Sequence, residues 1–235
     1  MNEIQLRQLL PTDPAEQNLV QTIAGNLLLS GKDTSIIAVT SCRDGEGKST
    51  VTLQLAHALA NEGHTVVVVD AALCSTSLLS YPARETERDL ETYRRGDCAM
   101  TDIVYPTDVS NLYILPRTMF TGSGDIPGNT APTIPQTVFS TLLEGLAQAY
   151  DYIFVDTPSA GKSIEATKLA SLCDGIILVV QYKKTKKKDI AEVVRQLARA
   201  GKPILGCVIN QVRFDSILTR KRYRLLRTPF KRIFR

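Results

Sequence analysis

The segment from Ser35 to Thr50 constrains the fold of this chain more than any other part of it. It begins with the apolar, mainly β-branched run SIIAVTS, continues as CRDGEGKST and leads into an Ala/Leu-rich helical pattern. A strand, a small-residue loop and a helix in this order form a phosphate-binding loop, because loop N–H groups and the helix N-terminus concentrate positive potential on a phosphate. The complete pattern has glycine at the position that Cys42 occupies here.

The loop residues predict how a nucleotide would be held. Lys48 would reach the β- and γ-phosphate oxygens, and the hydroxyl of Ser49 would bind Mg²⁺. The candidate nucleotide-binding residues are consecutive in the chain: Asp44, Gly45, Glu46, Gly47, Lys48, Ser49 and Thr50.

Strand-like and helical patterns alternate along the rest of the chain. Predicted strands are Ser35–Ser41, Thr65–Asp70, Asn111–Leu115, Tyr152–Asp156, Gly175–Gln181 and Pro203–Asn210. Predicted helices are Glu16–Leu29, Ser49–Glu62, Asp89–Arg95, Thr137–Tyr150, Ile164–Leu172 and Lys188–Ala200, with Gly63 and Gly201 as C-caps of two of them. Several strand runs are continuously apolar, as expected for strands buried on both faces. The pattern predicts an α/β fold with a doubly wound, mostly parallel sheet, helices on both faces and ligands at the carboxyl ends of the strands.

Two aspartates end predicted buried strands at the edge where the phosphate loop must lie. Asp70 ends VVVVD, and Asp156 ends YIFVD. A site for phosphoryl transfer needs carboxylates that hold Mg²⁺ and that orient or deprotonate the attacking hydroxyl. Both residues are therefore candidates for the site rather than simple helix caps.

Composition predicts one domain and a tail of different character. A length of 235 residues, 43% of them hydrophobic, suits a single domain over residues 1–212. The tail, residues 213–235, holds nine Lys or Arg residues and one acid, whereas the rest holds 19 basic and 23 acidic residues. Such a tail either lies on an anionic membrane or remains solvated. The run Lys183–Lys188 is expected to be a solvated loop or an addition to a surface for an acidic partner.

Other features limit the location and the partners. The sequence shows no signal peptide and no apolar run of about 20 residues, so the chain is expected in the cytoplasm. Five widely spaced cysteines predict reduced thiols. Nucleic acid is not expected as a partner, because no groove-reading or base-stacking motif is present. Gly122–Pro135 predicts a flexible surface loop.

Three segments together resemble the bacterial tyrosine kinase (BY-kinase) family of capsule and exopolysaccharide biosynthesis. They are Thr40–Thr50, Val66–Asp70 and Tyr150–Pro158, and they are similar to the Walker A, Walker A′ and Walker B motifs of that family. The likeness continues through most of the chain, including the segment LGCVINQV near residue 212.

The resemblance implies a function and a set of roles. It implies ATP and Mg²⁺ as cofactors and transfer of phosphate to protein tyrosine. Lys48 would bind the phosphates, Ser49 and Asp156 would serve Mg²⁺, and Asp70 would be the base. It also implies a membrane chain-length regulator as activating partner and a peripheral position at the inner face of the cell membrane.

The sequence departs from the BY-kinase pattern at several points. The Walker A′ motif of the family continues Asp-x-Asp-x-Arg, but Ala72 and Cys74 replace its second acid and its basic residue, which should weaken metal binding. The family's ring-forming Glu-x-x-Arg-x-x-Arg motif is matched by Asn18, Gln21 and Ala24, which leaves homo-oligomerisation open. Only Tyr223 remains of the C-terminal tyrosine cluster, so transfer to tyrosine is expected to be weakened.

Two other functions remain open. One is a non-catalytic nucleotide-binding partner of an export complex. The other is an ATPase of the MinD/ParA type, which carries a signature Lys five residues before the loop Lys, where this chain has Arg43.

Overall fold

The computed structural model describes residues 4–6, 10–11, 13–29, 31, 34–72, 93, 95–116 and 135–212. The tail 213–235, Cys74 and most of the predicted loop Gly122–Pro135 lie outside the described residues. Of the predicted helix Asp89–Arg95 only Tyr93 and Arg95 are described, and both are helical.

Apart from the helical residues Tyr93 and Arg95, the described residues form five α-helices and seven strands. The helices are α1 (Pro14–Leu28), α2 (Lys48–Asn61), α3 (Gln136–Ala149), α4 (Ile164–Ala170) and α5 (Lys187–Leu197). The strands are β1 (Ile36–Ser41), β2 (Val66–Asp70), β3 (Tyr105–Pro106), β4 (Leu112–Leu115), β5 (Tyr152–Asp156), β6 (Gly175–Gln181) and β7 (Ile204–Asn210). Short 3₁₀ turns cover Met100–Asp102 and Ala198–Ala200. Predicted strand bounds agree to within one residue, and α4 ends two residues earlier than predicted.

The strands form one sheet in the order β3-β4-β2-β5-β1-β6-β7. All pairs are parallel except β3 with β4. The chain runs from β1 through α2 to β2 on one side and from β5 through α4 to β6 on the other. Because such crossovers are right-handed, α2 lies on the face opposite to α4 and α5. The predicted doubly wound fold is confirmed.

Burial on both faces explains the continuous apolar strands. Along β2 and β5 successive residues point to opposite faces, yet Val66–Val69 and Ile153–Val155 are all at most 3% exposed. Helix α2 packs on β2, β5 and β1, and α1 packs on α2. Gly63 and Gly201 have φ of 94° and 70°, as the predicted C-caps require.

Sequence patterns did not predict strand β3, which is only two residues long and contains Pro106.

Ile4 forms a parallel bridge with Thr107, where the Ile4 N–H donates to Pro106 O and the Asp108 N–H donates to Ile4 O. The Leu6 N–H donates to Asp108 Oδ1 at 2.6 Å. Ile4 and Leu6 thus border the outer edge of the sheet.

Two carboxylates accept hydrogen bonds from residues at the starts of neighbouring strands. Asp174, just before β6, accepts the N–H groups of Ser35 and Ile36 at 3.0 and 2.8 Å through Oδ2. Asp151, just before β5, accepts the Thr65 N–H and hydroxyl at 2.7 Å each. These bonds, the backbone one first, hold the pKa of Asp151 below its usual value. Each carboxylate thus accepts backbone N–H groups at the point where two parallel strands begin to pair.

The described cysteines are free thiols, as predicted: Cys42 and Cys173 are buried, and Cys98 and Cys207 are half-buried. In the described part of the chain, no helix has the length and apolar character needed to cross a membrane.

We expect Asp174→Ala to lower the free energy of unfolding by about 2 kcal/mol, because it leaves two backbone donors without their acceptor. The matched control is Asp97→Ala, which removes an exposed carboxylate whose ion pair within the described residues is with exposed Arg95. Urea unfolding at pH 7 measures both. Equal losses of unfolding free energy in the two variants would show that the Asp174 hydrogen bonds do not stabilise the fold more than an exposed ion pair does.

Candidate functional site

The phosphate loop joins the end of β1 to the beginning of α2. Gly45 and Gly47 have φ of 77° and 87°, a left-handed conformation that glycine adopts without strain. Gly47 is also the N-cap residue of α2. A β-carbon on Gly47 would lie 2.1 Å from Asn210 Nδ2, so a larger residue would displace the Asn210 side chain in addition to straining the backbone.

Four predicted site residues lie together at the carboxyl edge of the sheet. Asp70 and Asp156 are paired residues of neighbouring strands β2 and β5. Ser49 hydrogen-bonds the Asp156 carboxylate, and the charge of Lys48 acts on the same group. Lys48, Asp70 and Asp156 are only 8%, 7% and 4% exposed. The structure therefore brings Asp156 to the first turn of α2 and places Asp70 beside Asp156.

Burial dominates the chemistry of Asp156. It raises the pKa of this carboxyl to about 7; the Ser49 hydrogen bond and the Lys48 charge act in the opposite direction, and the nearby Asp70 charge raises the pKa further. Asp156 can thus gain or lose a proton near neutral pH. An added cation would favour the ionised form.

The residues fit a magnesium–nucleotide complex. Asp156 Oδ1 is buried and has no hydrogen-bond partner among the described residues. Those residues also contain no cluster of three or more His, Cys, Asp or Glu side chains placed to hold a metal. Mg²⁺ is commonly bound by one or two carboxylates together with substrate phosphates and water. Asp156 and the Ser49 hydroxyl are the groups that could hold it here.

Glu46 fixes the phosphate loop from inside the protein. Its carboxylate is 2% exposed; one oxygen accepts the Arg43 N–H at 2.9 Å and the other accepts the Thr185 hydroxyl. Asn210 Nδ2 donates to Glu46 O at 3.0 Å. Because the Glu46 side chain is engaged in this way, its predicted contact with the nucleotide would be through the backbone.

Asp44 fixes the loop from the other side. Its carboxylate accepts the Ser159 hydroxyl and pairs with Lys162 Nζ at 2.7 Å. The Lys162 hydrogen bond, followed by the Ser159 bond, holds the pKa of Asp44 below its usual value. Asp44 therefore connects the phosphate loop to the segment that follows Asp156.

Cys42 occupies the glycine position of the pattern and contacts the backbone of the next segment. A β-carbon on Gly161 would lie 2.2 Å from Cys42 O, so the two segments approach closely only because residue 161 is glycine. Burial raises the pKa of the Cys42 thiol to about 12. Cys42 is accordingly a packing residue and not a nucleophile.

A cavity of about 540 Å³ lies between the phosphate loop, the segment after β5 and α5. It contains two ion pairs, Arg43–Asp189 at 2.5 Å and Lys162–Asp44 at 2.7 Å. Arg43 thereby bridges the phosphate loop to the first turn of α5.

Sequence patterns did not indicate the residues that support the loop: Ser159, Gly161, Lys162, Thr185, Asn210 and Gln211. Gln211 Nε2 donates to Gly45 O at 3.3 Å. One sequence signal could have found part of this set. Several strands at this edge end in a polar residue, including Gln181 of β6 and Asn210 of β7, and not only in the two aspartates.

Comparison with known proteins identifies the family. Residues 34–205 match the family model described as an AAA domain. The chain is 33% identical over 198 residues to the tyrosine-protein kinase CpsD of Streptococcus agalactiae, covering 84% of this chain and 83% of CpsD. The chain belongs to the bacterial tyrosine kinase (BY-kinase) family.

Solved structures of related proteins have the same fold as this chain. The BY-kinase chain superposes on the VpsO kinase domain with a TM-score of 0.64 and 26% identity, covering 85% of this chain and 97% of that one. It also superposes on the septum site-determining protein MinD of Pyrococcus horikoshii complexed with Mg-ADP, with a TM-score of 0.59 and 29% identity, over 75% of this chain and 70% of MinD.

The departures from the BY-kinase pattern have structural counterparts. Ala72, in place of the second Walker A′ acid, donates its N–H to Asp70 Oδ1 at 3.3 Å. In α1, Asn18 and Gln21 are exposed, whereas Ala24 is completely buried. The third position of the ring-forming motif is therefore part of the core in this BY-kinase.

We expect Gly161→Ala to lower the free energy of unfolding by about 2 kcal/mol, because the new methyl group must displace the Cys42 backbone. The displaced loop should also bind Mg-ATP about tenfold more weakly. Gly25→Ala is the control: its methyl group meets nothing within 4 Å, and it should stabilise α1 by about 0.5–1 kcal/mol. Chemical denaturation and calorimetric titration with Mg-ATP measure these effects. An unchanged free energy of unfolding in Gly161→Ala would disprove the close approach of Gly161 to the Cys42 backbone.

The pKa of Asp156 predicts a dependence of stability on pH. Without Mg²⁺, the pKa of folded Asp156 is about 7, whereas the unfolded residue has its ordinary pKa of 3.8. Between these values the folded state binds more protons, so its stability falls as pH rises. Asp156→Asn should gain stability relative to wild type, by on the order of 2–4 kcal/mol between pH 4 and pH 8. Urea unfolding without Mg²⁺ across this range tests the expectation; parallel curves would refute it, and Asp97→Asn should parallel wild type.

Proposed function

We propose that the chain is an ATP- and Mg²⁺-dependent protein-tyrosine kinase that acts in capsular or exopolysaccharide biosynthesis. The observation that carries the proposal is the pairing of Asp70 with Asp156 at the strand ends, beside Ser49 and Lys48. The names of relatives such as CpsD, a tyrosine-protein kinase, support the same reaction.

Each residue has a part in this proposal. The backbone of Gly45–Thr50 and the Lys48 ammonium bind the phosphates and orient the γ-phosphoryl group for attack. Asp156 and Ser49 hold the position at which Mg²⁺ would neutralise phosphate charge. Asp70 accepts the proton of the tyrosine hydroxyl as its oxygen bonds to the γ-phosphorus and ADP leaves with the bridging oxygen.

The loss of the second Walker A′ acid predicts a slower enzyme. Ala72 offers only its N–H to Asp70, so one carboxylate that would support the metal is missing. We propose that nucleotide binding is retained and that transfer to tyrosine is weak in the isolated chain. A membrane chain-length regulator of a polysaccharide export system is the proposed activator, with the chain at the inner face of the cell membrane and the basic tail in contact with anionic lipid.

One further candidate has specific support. The chain is similar to MinD over 75% of its length. Arg43 stands five residues before Lys48, where MinD/ParA-type proteins have their signature lysine. In this structure Arg43 pairs with Asp189 of the same chain. That pairing favours a structural role for Arg43, so we rank an ATPase of the MinD type second.

Phosphotyrosine formation tests the proposed function. The full chain is incubated with Mg-ATP and a tyrosine-containing copolymer, in the presence of membranes that contain the export proteins. Lys48→Ala should lower kcat/KM by about 10²–10³, because the phosphates lose a buried cation. Asp70→Asn should lower kcat more than it raises KM, because it removes the base and leaves the phosphate contacts. Arg199→Ala is the control, because Arg199 is exposed and lies in the turn before β7, at the amino ends of the strands.

Other outcomes would favour the other functions. ATP binding without phosphotyrosine, followed by activity in Ala72→Asp, would indicate a non-catalytic nucleotide-binding partner. ATP hydrolysis that responds to lipid or DNA, with no phosphotyrosine, would indicate the MinD type. Unchanged ATP affinity in Lys48→Ala would show that the site itself is misplaced.

A further inference from the structure

A strongly basic surface lies between β6 and α5, and the function proposed above does not use it. We call residues 183–188 the lysine turn. Five of its six residues are exposed lysines: Lys183, Lys184, Lys186, Lys187 and Lys188. The sixth residue, Thr185, is half-buried and points its hydroxyl to Glu46 of the phosphate loop.

Within the part of the chain that the structure describes, the charge of the lysine turn has no carboxylate paired with it. In the described residues, no ion pair joins any of its five lysines to a carboxylate. Asp189, the nearest acid along the chain, pairs with Arg43. Lys183 lies 5.4 Å from the centre of the Tyr182 ring, which offers only a weak attraction.

The fold gains no stability from this placement. Lys186 is the N-cap residue of α5, and Lys187 and Lys188 are its first two residues. Positive charges at a helix N-terminus oppose the helix dipole and are unfavourable there. The lysine turn therefore requires an explanation outside the stability of α5.

The lysine turn lies beside the end of β7, which the basic tail follows in the sequence. The Tyr182 N–H donates to Asn210 O at 2.9 Å, and the side chains of Gln181 and Gln211 are hydrogen-bonded to each other. The tail begins two residues after Gln211 and has nine basic residues in its sequence. One edge of the molecule thus has the lysine turn and the origin of the tail side by side.

We propose that the lysine turn is a docking surface for an anionic phospholipid membrane. Clusters of four to eight basic residues bind acidic headgroups through additive, diffuse attraction. Lysine suits this purpose because its ammonium is a compact, hydrated point charge, whereas a clamp for a protein carboxylate favours the planar fork of arginine. All five cations of the turn are lysines, and all are exposed.

Docking through this surface gives the molecule a defined orientation. The lysine turn lies at the carboxyl edge of the sheet, and its Thr185 contacts the loop that would hold the phosphates. A membrane against the lysine turn would therefore face the nucleotide edge of the sheet. This docking does not depend on the chain being a kinase.

Vesicle flotation with the full chain tests the proposal. Vesicles of phosphatidylcholine with 30% phosphatidylglycerol are compared with pure phosphatidylcholine at about 0.1 M salt. The variant Lys184→Gln, Lys187→Gln, Lys188→Gln should bind the anionic vesicles about a hundredfold more weakly, from roughly fivefold for each lysine. Its folding should be intact, since the changes remove unfavourable charge from the start of α5.

The control variant changes net charge by the same amount elsewhere and leaves the tail untouched: Lys168→Gln, Arg199→Gln, Lys202→Gln. It should keep at least a third of the wild-type affinity. Equal losses in the two variants would mean that only net charge matters, and no loss in the first would mean that the tail binds alone. Either result overturns the proposal.

A second measurement locates the contact. Anionic vesicles should slow hydrogen exchange in residues 182–188 of the wild-type chain and have no such effect with pure phosphatidylcholine. A soluble polyglutamate chain is the competing ligand. Protection by polyglutamate and not by vesicles would assign the turn to an acidic protein partner and reject the membrane.

Discussion

The central constraint on this structure is a pair of buried carboxylates. Asp70 and Asp156 end neighbouring parallel strands in register, almost out of contact with water. Two ionised carboxylates in such a place repel each other and lose their hydration, so the surroundings must supply positive charge and hydrogen-bond donors. Lys48 and Ser49 at the beginning of α2 do so in part. The raised pKa of Asp156, and the lack of a hydrogen-bond partner for its Oδ1 among the described residues, indicate that these residues compensate the charge incompletely.

Support for the phosphate loop comes from polar groups that are distant in sequence. Glu46 connects the loop to Thr185 and Asn210, and Asp44 connects it to Ser159 and Lys162. The loop consequently keeps its shape through side-chain bonds to three strand ends. A site that must present several N–H groups to one phosphate benefits from such fixed positions, because no reorganisation is needed when the ligand binds.

Sequence patterns predicted the sheet and the two aspartates because these depend on local regularities. A strand buried on both faces is continuously apolar, and a parallel sheet places all carboxyl ends at one edge, so Asp70 and Asp156 could be located without coordinates. Patterns could not locate the partners of Glu46 and Asp44, because Thr185 and Ser159 lie more than 100 residues away and their residue types are common. Strand β3 was missed because two residues with a proline carry no period-two signal.

Residues 4–6 change which backbone groups are exposed at the outer edge of the sheet, beside β3. An outer strand leaves a row of free N–H and C=O groups, which a second chain can pair with. Here Ile4 occupies part of that row beside β3, and Leu6 is anchored by Asp108 and completely buried. Ile4 and Leu6 therefore cover part of the edge at which a second chain could pair, at the side of the sheet farthest from the lysine turn.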